Sequence, residues 1–580
     1  MKQQAVVSSS LVCPKRILIL CLFCIFMLVG CVGGGDTNSN NGNSDSQDAT
    51  LYQQALASYQ AGNYSQALIE FQSLFSRYPT SIYADNAQYY TARCHHEMLQ
   101  FAVARNEYNT FLVEYPASNY VDNTVFYLGR TYFDEAALQT DSQLEFTLLA
   151  TAVSSLADFI AAYPGSTIVD AGQYYLGRSY HSQAVLVQLD STLSADTASQ
   201  LFINARTYYE AIASSSVYKD NAQYFKAQTY HDQADFVSAR VEYQTLINWA
   251  GSNWADDAKY QYAKTYYDQA LLTTPDSEAF ILFDTAITQF DSMLTDMLYQ
   301  TSNQWEAALY FKGRSYQRQG DLIVTNSGLG DLAVKYADAR TVFQSLVSQR
   351  PSSVWADNAL YQIGITDYDE AKVAEVNADY VTMSAKLSDA IDAFNLVLSD
   401  PLYKTSNSAD NAQYNLGRSY QTVLSMPANE RGAVFATVTY DTVRAAYNML
   451  ISEYPASSWV DNAYYEIGNT YYSEANDAAD NPVKEAAFNN ALGRYYTVVT
   501  DYPDSIRYDN AVYKIAWIYH YAENCALELQ WFNYHAGLSN VSASEAIIRD
   551  SHITDLSLAA PTAHVCPTPP TLMVSGLSTP

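Results

Sequence analysis

The stretch from Pro455 to Tyr472 reads P-A-S-S-W-V-D-N-A-Y-Y-E-I-G-N-T-Y-Y, and variants of it recur along almost the whole chain. Aligned on the acid, Asp85, Asp122, Asp170, Asp220, Asp256, Glu306, Asp357, Asp410, Asp461 and Asp509 give ten copies. Four residues before each acid stands a serine, from Ser81 and Ser118 through Ser353 and Ser457 to Ser505. A serine hydroxyl accepts a bond from an orphan N–H of a first helical turn, and an acid there meets the positive end of the helix dipole. Each serine is therefore expected to cap and start a helix.

Four residues after the acid comes an aromatic in every copy, and seven after it Ala or Gly, as at Gly417 and Gly468. Ten after it lies Tyr in eight copies, with His95 and Asp367 as exceptions. A second helix follows, plainest in Phe101 to Pro116, where Ala104, Tyr108 and Phe111 share one face before proline ends it. With the acid as position 1, the small residues fall at 8 and 20, the aromatics at 11 and 24, and the proline at 32. This pattern resembles the tetratricopeptide repeat. The resemblance implies an all-α solenoid of antiparallel helix pairs over residues 51–524. Ala67, Phe71, Leu74 and Pro79 repeat the second-helix pattern ahead of the first aligned acid, which makes about eleven units.

A chain of 580 residues with 48% hydrophobic and 16% charged content buries much apolar surface, yet a single core does not grow to that size. Stacked repeats resolve this. Acid-to-acid spacing is 37 from Asp85 to Asp122 and 36 from Asp220 to Asp256, but 48 to 53 elsewhere. Asp122 to Pro164 holds 43 residues where Asp85 to Pro116 holds 32, so the extra residues lie between the two helices. An excess near three helical turns predicts that both helices are lengthened, with a turn at Thr274-Pro275-Asp276.

Residues 1–30 carry Lys2, Lys15 and Arg16, no acid, and an apolar run from Ile17 to Val29, the pattern of a secretory signal. Leu28-Val29-Gly30-Cys31 resembles the lipobox of bacterial lipoproteins, which implies lipid on Cys31; an ordinary signal peptide with an incidental cysteine is the alternative. Val32 after the cysteine favours the outer membrane by the same resemblance. Residues 31–50, rich in Gly, Asn, Ser and Asp, are expected to be a flexible tether. Residues 525–580 are expected to hold a capping segment and a disordered, Pro- and Thr-rich tail. Without residues 1–30 the chain has 28 cations against 61 acids, a net charge of −33, which excludes nucleic acid as a partner.

Cys525 and Cys566 form a possible disulfide, with free buried thiols the equal alternative. His95 and His96 do not face one direction on a helix, and no acid or cysteine completes a ligand set. His96, His181, His231 and His520 share position 12 with Phe133, Tyr267, Tyr368 and Tyr472, so they are read as aromatic-sized packing residues. No metal and no cofactor is expected, and no catalytic motif is present.

In tetratricopeptide repeats, positions 2, 5, 9 and 12 line the concave groove, by what the resemblance implies. Position 2 is here Asn86, Asn123, Asn221, Asn358 and Asn411, and position 9 is Arg93, Arg130, Arg178, Lys264, Arg314 and Arg418. An Asn-Tyr-Arg stripe suits peptide backbone and carboxylates. The alternative is structural, since Arg93 with Glu97, Arg130 with Asp134 and Lys264 with Asp268 make i,i+4 pairs. Arg178, Arg314 and Arg418 have no such acid.

The repeat style is similar to that of the BamD family of envelope-assembly lipoproteins and the CpoB family of Tol–Pal coordinators. It implies a non-enzymatic scaffold for other envelope proteins or peptides, held to the outer membrane by lipid and facing the periplasm. Alternatives are a glycan-binding lipoprotein resembling SusD, and a cell-wall enzyme borne on a solenoid.

Overall fold

The computed structural model describes residues 47–538 and 543–557. The signal at 1–30, Cys31 and most of the tether lie outside them, as do Cys566 and the end of the tail. Among the described residues every regular element is helical. The chain divides at Gln304 and Trp305 into two compact units.

The first unit holds six antiparallel helix pairs. They are Gln47–Gln60 with Tyr64–Arg77, Ala84–Glu97 with Phe101–Glu114, and Val121–Ala136 with Ser142–Ala162. Val169–Leu189 with Ala198–Ala211, Lys219–Asp232 with Phe236–Ile247, and Ala255–Leu272 with Asp276–Leu294 complete it. The second unit holds five pairs. These are Trp305–Thr325 with Leu332–Gln349, Ala356–Val376 with Tyr380–Ser399, Ala409–Ser425 with Tyr440–Glu453, Val460–Asp477 with Asn481–Asp501, and Tyr508–Tyr521 with Cys525–Ala536. Helix Ala543–Leu556 follows the last pair.

Two boundaries differ from the sequence reading. The first helix begins at Gln47, inside the expected tether, and puts Asp48 at the acid position of the unit that had shown only its second helix. At the other end Cys525–Ala536 is a full second helix, so the repeats run past residue 524. The long spacings are absorbed as expected: the two helices are 14 and 14 residues in the Asp85 repeat but 21 and 20 in the Asp357 repeat. In the Asp170 repeat only the first helix is lengthened, to 21 residues, while the second keeps 14 and the residues between hold a short 3-10 turn at Ser191–Leu193; the Asp410 repeat departs further. Its helices have 17 and 14 residues, and the insert 426–439 forms turns, because Pro427 and the left-handed Gly432 (φ +66°) stop the helix from continuing.

Within a pair, the small residue at position 8 takes the aromatic at position 24. A Cβ built on Gly417 would stand 2.6 Å from the Tyr447 ring, and one on Gly177 2.6 Å from Tyr209. Both rings are buried. This close approach, rather than backbone freedom, accounts for glycine there.

The serine does something other than cap. Helix Ala84–Glu97 has Tyr83 at its N-cap with no side-chain cap bond, because Ser81 sits one turn earlier, its carbonyl accepting the Ala84 N–H. The Ser81 hydroxyl accepts the Tyr83 N–H at 3.2 Å and donates to Asp48 of the preceding repeat at 2.7 Å. The same clasp joins Ser118 to Asp85, Ser166 to Asp122 and Ser302 to Asp256 in the first unit. In the second unit it joins Ser353 to Glu306 and Ser457 to Asp410. The other carboxylate oxygen of Asp85 accepts the N–H of Asn86 in its own first turn. One acid thus serves its helix and the next repeat together.

Candidate functional site

Position 2 mostly holds the next repeat in place. Trp459, two residues before the next acid, donates its indole N–H to Asn411 at 2.9 Å, and Trp254 does the same to Asn221 at 3.2 Å. Ser408 donates to Asn358, Asn86 donates to the Tyr52 hydroxyl, and Asn123 bonds its own Asp122. Position 5 stacks on those same pre-acid rings: Tyr414 on Trp459 at 4.4 Å, Tyr224 on Trp254 at 4.4 Å, Tyr89 on Tyr120 at 4.6 Å. Asparagine and aromatic together form the joint between repeats.

In the first unit the position-9 cations are held within the stack. Arg93 pairs with Glu97 at 2.6 Å and lies 3.6 Å above the Tyr127 ring of the next repeat. Arg130 bonds Asp134 and covers Tyr175, and Lys264 bonds Asp268 at 2.5 Å. Arg178, which has no i+4 acid, bonds the Tyr174 hydroxyl at 3.0 Å and lies 3.7 Å over Phe225. Position 12 feeds this network. His96 Nε2 stands 2.8 Å from Asp134, His181 from Asp232 and His231 from Asp268, each acid belonging to the next repeat. Register alone assigns these histidines to packing; the partner acids at position 13 lie 37 to 51 residues away, so no local pattern exposes the pairs. Burial lowers the His96 pKa below its ordinary value. His95 turns instead to Gln100.

The second unit opens differently. The first helices of the Asp357, Asp410 and Asp461 repeats, with the turn before Asp509, bound a cleft of about 490 Å³. Arg418 lies in its wall, its guanidinium bonded to Asn415 at 2.9 Å and 4.7 Å from the Tyr368 ring centroid. Arg507, bonded to Asn462 at 2.9 Å and paired with Glu466 at 3.9 Å, is the second cation. Trp459, Gln421 and Ser425 add ring edge, amide and hydroxyl, and Glu375 and Glu466 add negative charge. Gln421 donates to Glu466 at 3.1 Å, and Lys372 pairs with Glu375, so both acids are occupied within the wall. Arg314, half-buried on Trp305–Thr325, belongs to the same ladder.

Arg314, Arg318 and Arg418 act together on Asp369. Burial and the nearby Asp321 carboxylate push Asp369 up to about 7 in spite of the three arginines. Asp367, the departure from tyrosine at position 11, is buried against Arg340 at 3.0 Å and Lys386 at 3.1 Å, and burial raises it to about 6. This ion network replaces the ring that other repeats carry. Cys94 is buried and free, its thiol pushed up to about 12 by burial, which leaves it unreactive. The Cys525–Cys566 pairing falls partly outside the described residues. Of the residues able to ligate metal, His520, Glu528 and His552 converge in the last repeat. Position 12 marks His520 as a packing residue, and His552 lies outside the repeat register.

Residues 44–183 match the family model YfiO, described as outer membrane lipoprotein. No curated protein sequence matches the chain. Among solved structures, the C-terminal part of a TPR repeat-containing protein from Cytophaga hutchinsonii is 12% identical, with a TM-score of 0.35 over 53% of this chain and 98% of that one. Yeast Tom70 is 10% identical, with a TM-score of 0.27 over 88% and 96% of the two chains. The Naa15/Naa10 complex bound to HypK-THB is 11% identical, with a TM-score of 0.28 over 89% and 69%. At these identities none bears on what this chain binds.

Proposed function

We propose that the protein is a non-enzymatic scaffold that captures an extended segment of another envelope protein in the second-unit cleft, while lipid on Cys31 holds it to the outer membrane on the periplasmic side. The observation that carries this reading is the cleft itself. Its wall comes from three successive first helices and carries two arginines, whose guanidinium groups suit backbone carbonyls and carboxylates of a peptide, beside Gln421 and Ser425, which bond Glu466 and Glu375 of the same wall. The export signal, the lipobox resemblance and the match of residues 44–183 to an outer membrane lipoprotein family support the location. Envelope assembly of the BamD or CpoB kind is the role this points to. A glycan platform is less well supported, because sugar stacking needs an open ring face and Tyr414 and Trp459 stack on each other.

Photocrosslinking amino acids placed in cells at Gln421 and Ser425, in the cleft, and at Val381, which is 82% exposed on a second helix, test the reading. The cleft positions should trap a discrete envelope protein and Val381 should not. Trapping at Val381 alone would move the binding surface to the opposite face and overturn the reading.

A further inference from the structure

Three ligand-type side chains from three helices meet in the last repeat. His520 ends Tyr508–Tyr521, Glu528 lies in the first turn of Cys525–Ala536, and His552 lies on Ala543–Leu556. Nδ1 of His520 is 3.0 Å and Nδ1 of His552 2.9 Å from one and the same oxygen, Oε1 of Glu528. All three donor atoms lie within 4.8 Å of one another. The Glu528 side chain is 1% exposed, whereas the imidazoles are 28% and 15% exposed.

We propose that His520, Glu528 and His552 form a zinc site that fastens helix Ala543–Leu556 to the end of the stack. Two imidazole nitrogens and one carboxylate oxygen are a donor set that zinc takes readily, with water completing the tetrahedron on the exposed side. At metal–ligand bonds of about 2.0–2.1 Å, tetrahedral donors stand roughly 3.4 Å apart. The two His–Glu distances thus need to open by only a few tenths of an ångström. Both nitrogens facing the carboxylate are Nδ1, each placed to donate its N–H to Glu528 without the ion; the tautomer with the proton on Nε2 frees both Nδ1 lone pairs for an ion seated between the three groups. The buried Glu528 carboxylate already accepts from both imidazoles, and a divalent ion would take the place of those two protons between the same three groups. The surroundings are apolar: the Trp517 ring lies 5.0 Å from His520 and 4.9 Å from His552, and Phe532 lies 5.3 Å from His552. Such a shell restricts water and strengthens the ion's hold. A repeat stack needs its last apolar face covered, and a metal tie between the final pair and the following helix supplies that cover.

The test uses the full mature chain, stripped with chelator and titrated with Zn²⁺ alone by calorimetry against a chromophoric competitor, with hydrogen exchange read in parallel. One equivalent should bind, and exchange over residues 543–556 should slow while that of the Asp85 repeat stays unchanged. His552→Gln and Glu528→Gln should each weaken binding by at least about a hundredfold, since even an outer partner of a ligand is worth 10–100-fold. Less than one equivalent bound by the wild type, or stoichiometric zinc that survives both substitutions, would overturn the proposal. If Glu528→Gln loses its helical signal, His552→Gln, at a partly exposed position, decides alone.

Discussion

At the scale of single residues, the serine shows how far the sequence could be read. A cap and a clasp between repeats share one signature, Ser four residues before an acid, and the clasp's partner lies 33 to 47 residues upstream. Periodicity revealed that the serine matters; only the fold revealed what it touches. Ser353→Ala removes a hydrogen bond to the Glu306 carboxylate, which should cost about 1–2 kcal/mol. Because a stack loses stability locally, hydrogen exchange should quicken around the Glu306 and Asp357 repeats and not in the Asp85 repeat. Uniform quickening along the chain would contradict a clasp acting between neighbours. Asp369 offers a second residue-scale check. Its carboxyl keeps its proton up to about pH 7 in the fold but ionises near 4 in the unfolded chain, so the fold loses stability as pH rises from about 4 to 7. Asp369→Asn removes that loss. The variant should melt higher than wild type at pH 8, with the difference closing toward pH 4; an equal offset at both values would mean that the carboxyl titrates in its ordinary range.

At the scale of helices, most of the architecture was legible. Small residues at 8, aromatics at 24 and proline at 32 placed both helices of each pair, and the lengthened helices followed from residue counts alone. The insert 426–439 was not, because length cannot distinguish an added turn of helix from an irregular loop without reading Pro427 and Gly432 as breakers. The packing of position 8 against position 24 makes a paired prediction. Gly417→Val forces a side chain into the Tyr447 ring and should cost about 1–3 kcal/mol. Gly493→Ala, on a helix surface with nothing within 4 Å of the new Cβ, should gain up to about 1 kcal/mol from helix propensity. Thermal unfolding of the two variants should therefore shift in opposite directions. A shared direction would mean that backbone entropy, not close approach, governs glycine at position 8.

At the scale of the whole molecule, the first unit bonds its ladder cations to acids and rings of the stack, whereas in the second the ladder residue Arg418, with Arg507 from the turn before Asp509, lines a cleft while keeping bonds to Asn415, Asn462 and Glu466. The i,i+4 spacing visible in the sequence coincides with the ion pairs of Arg93, Arg130 and Lys264, whereas Arg178, with no acid at that spacing, bonds a tyrosine and covers a ring of the next repeat. Anchoring belongs to this scale too. Cys31→Ser should leave the protein soluble or retained with its signal uncleaved, because one free N-terminus buries far less hydrocarbon than acyl chains do. A mature-sized Cys31→Ser species that fractionates with membranes as the wild type does would remove the lipid from the account. The most direct measurement is the double charge reversal Arg418→Glu with Arg507→Glu, read as crosslinking yield from Gln421 and as thermal unfolding. The trapped partner should be lost while the melting temperature moves little, and salt should weaken the wild-type complex through screening. Retention of the partner, or a large drop in melting temperature, would show these arginines to be part of the stack rather than of a binding surface.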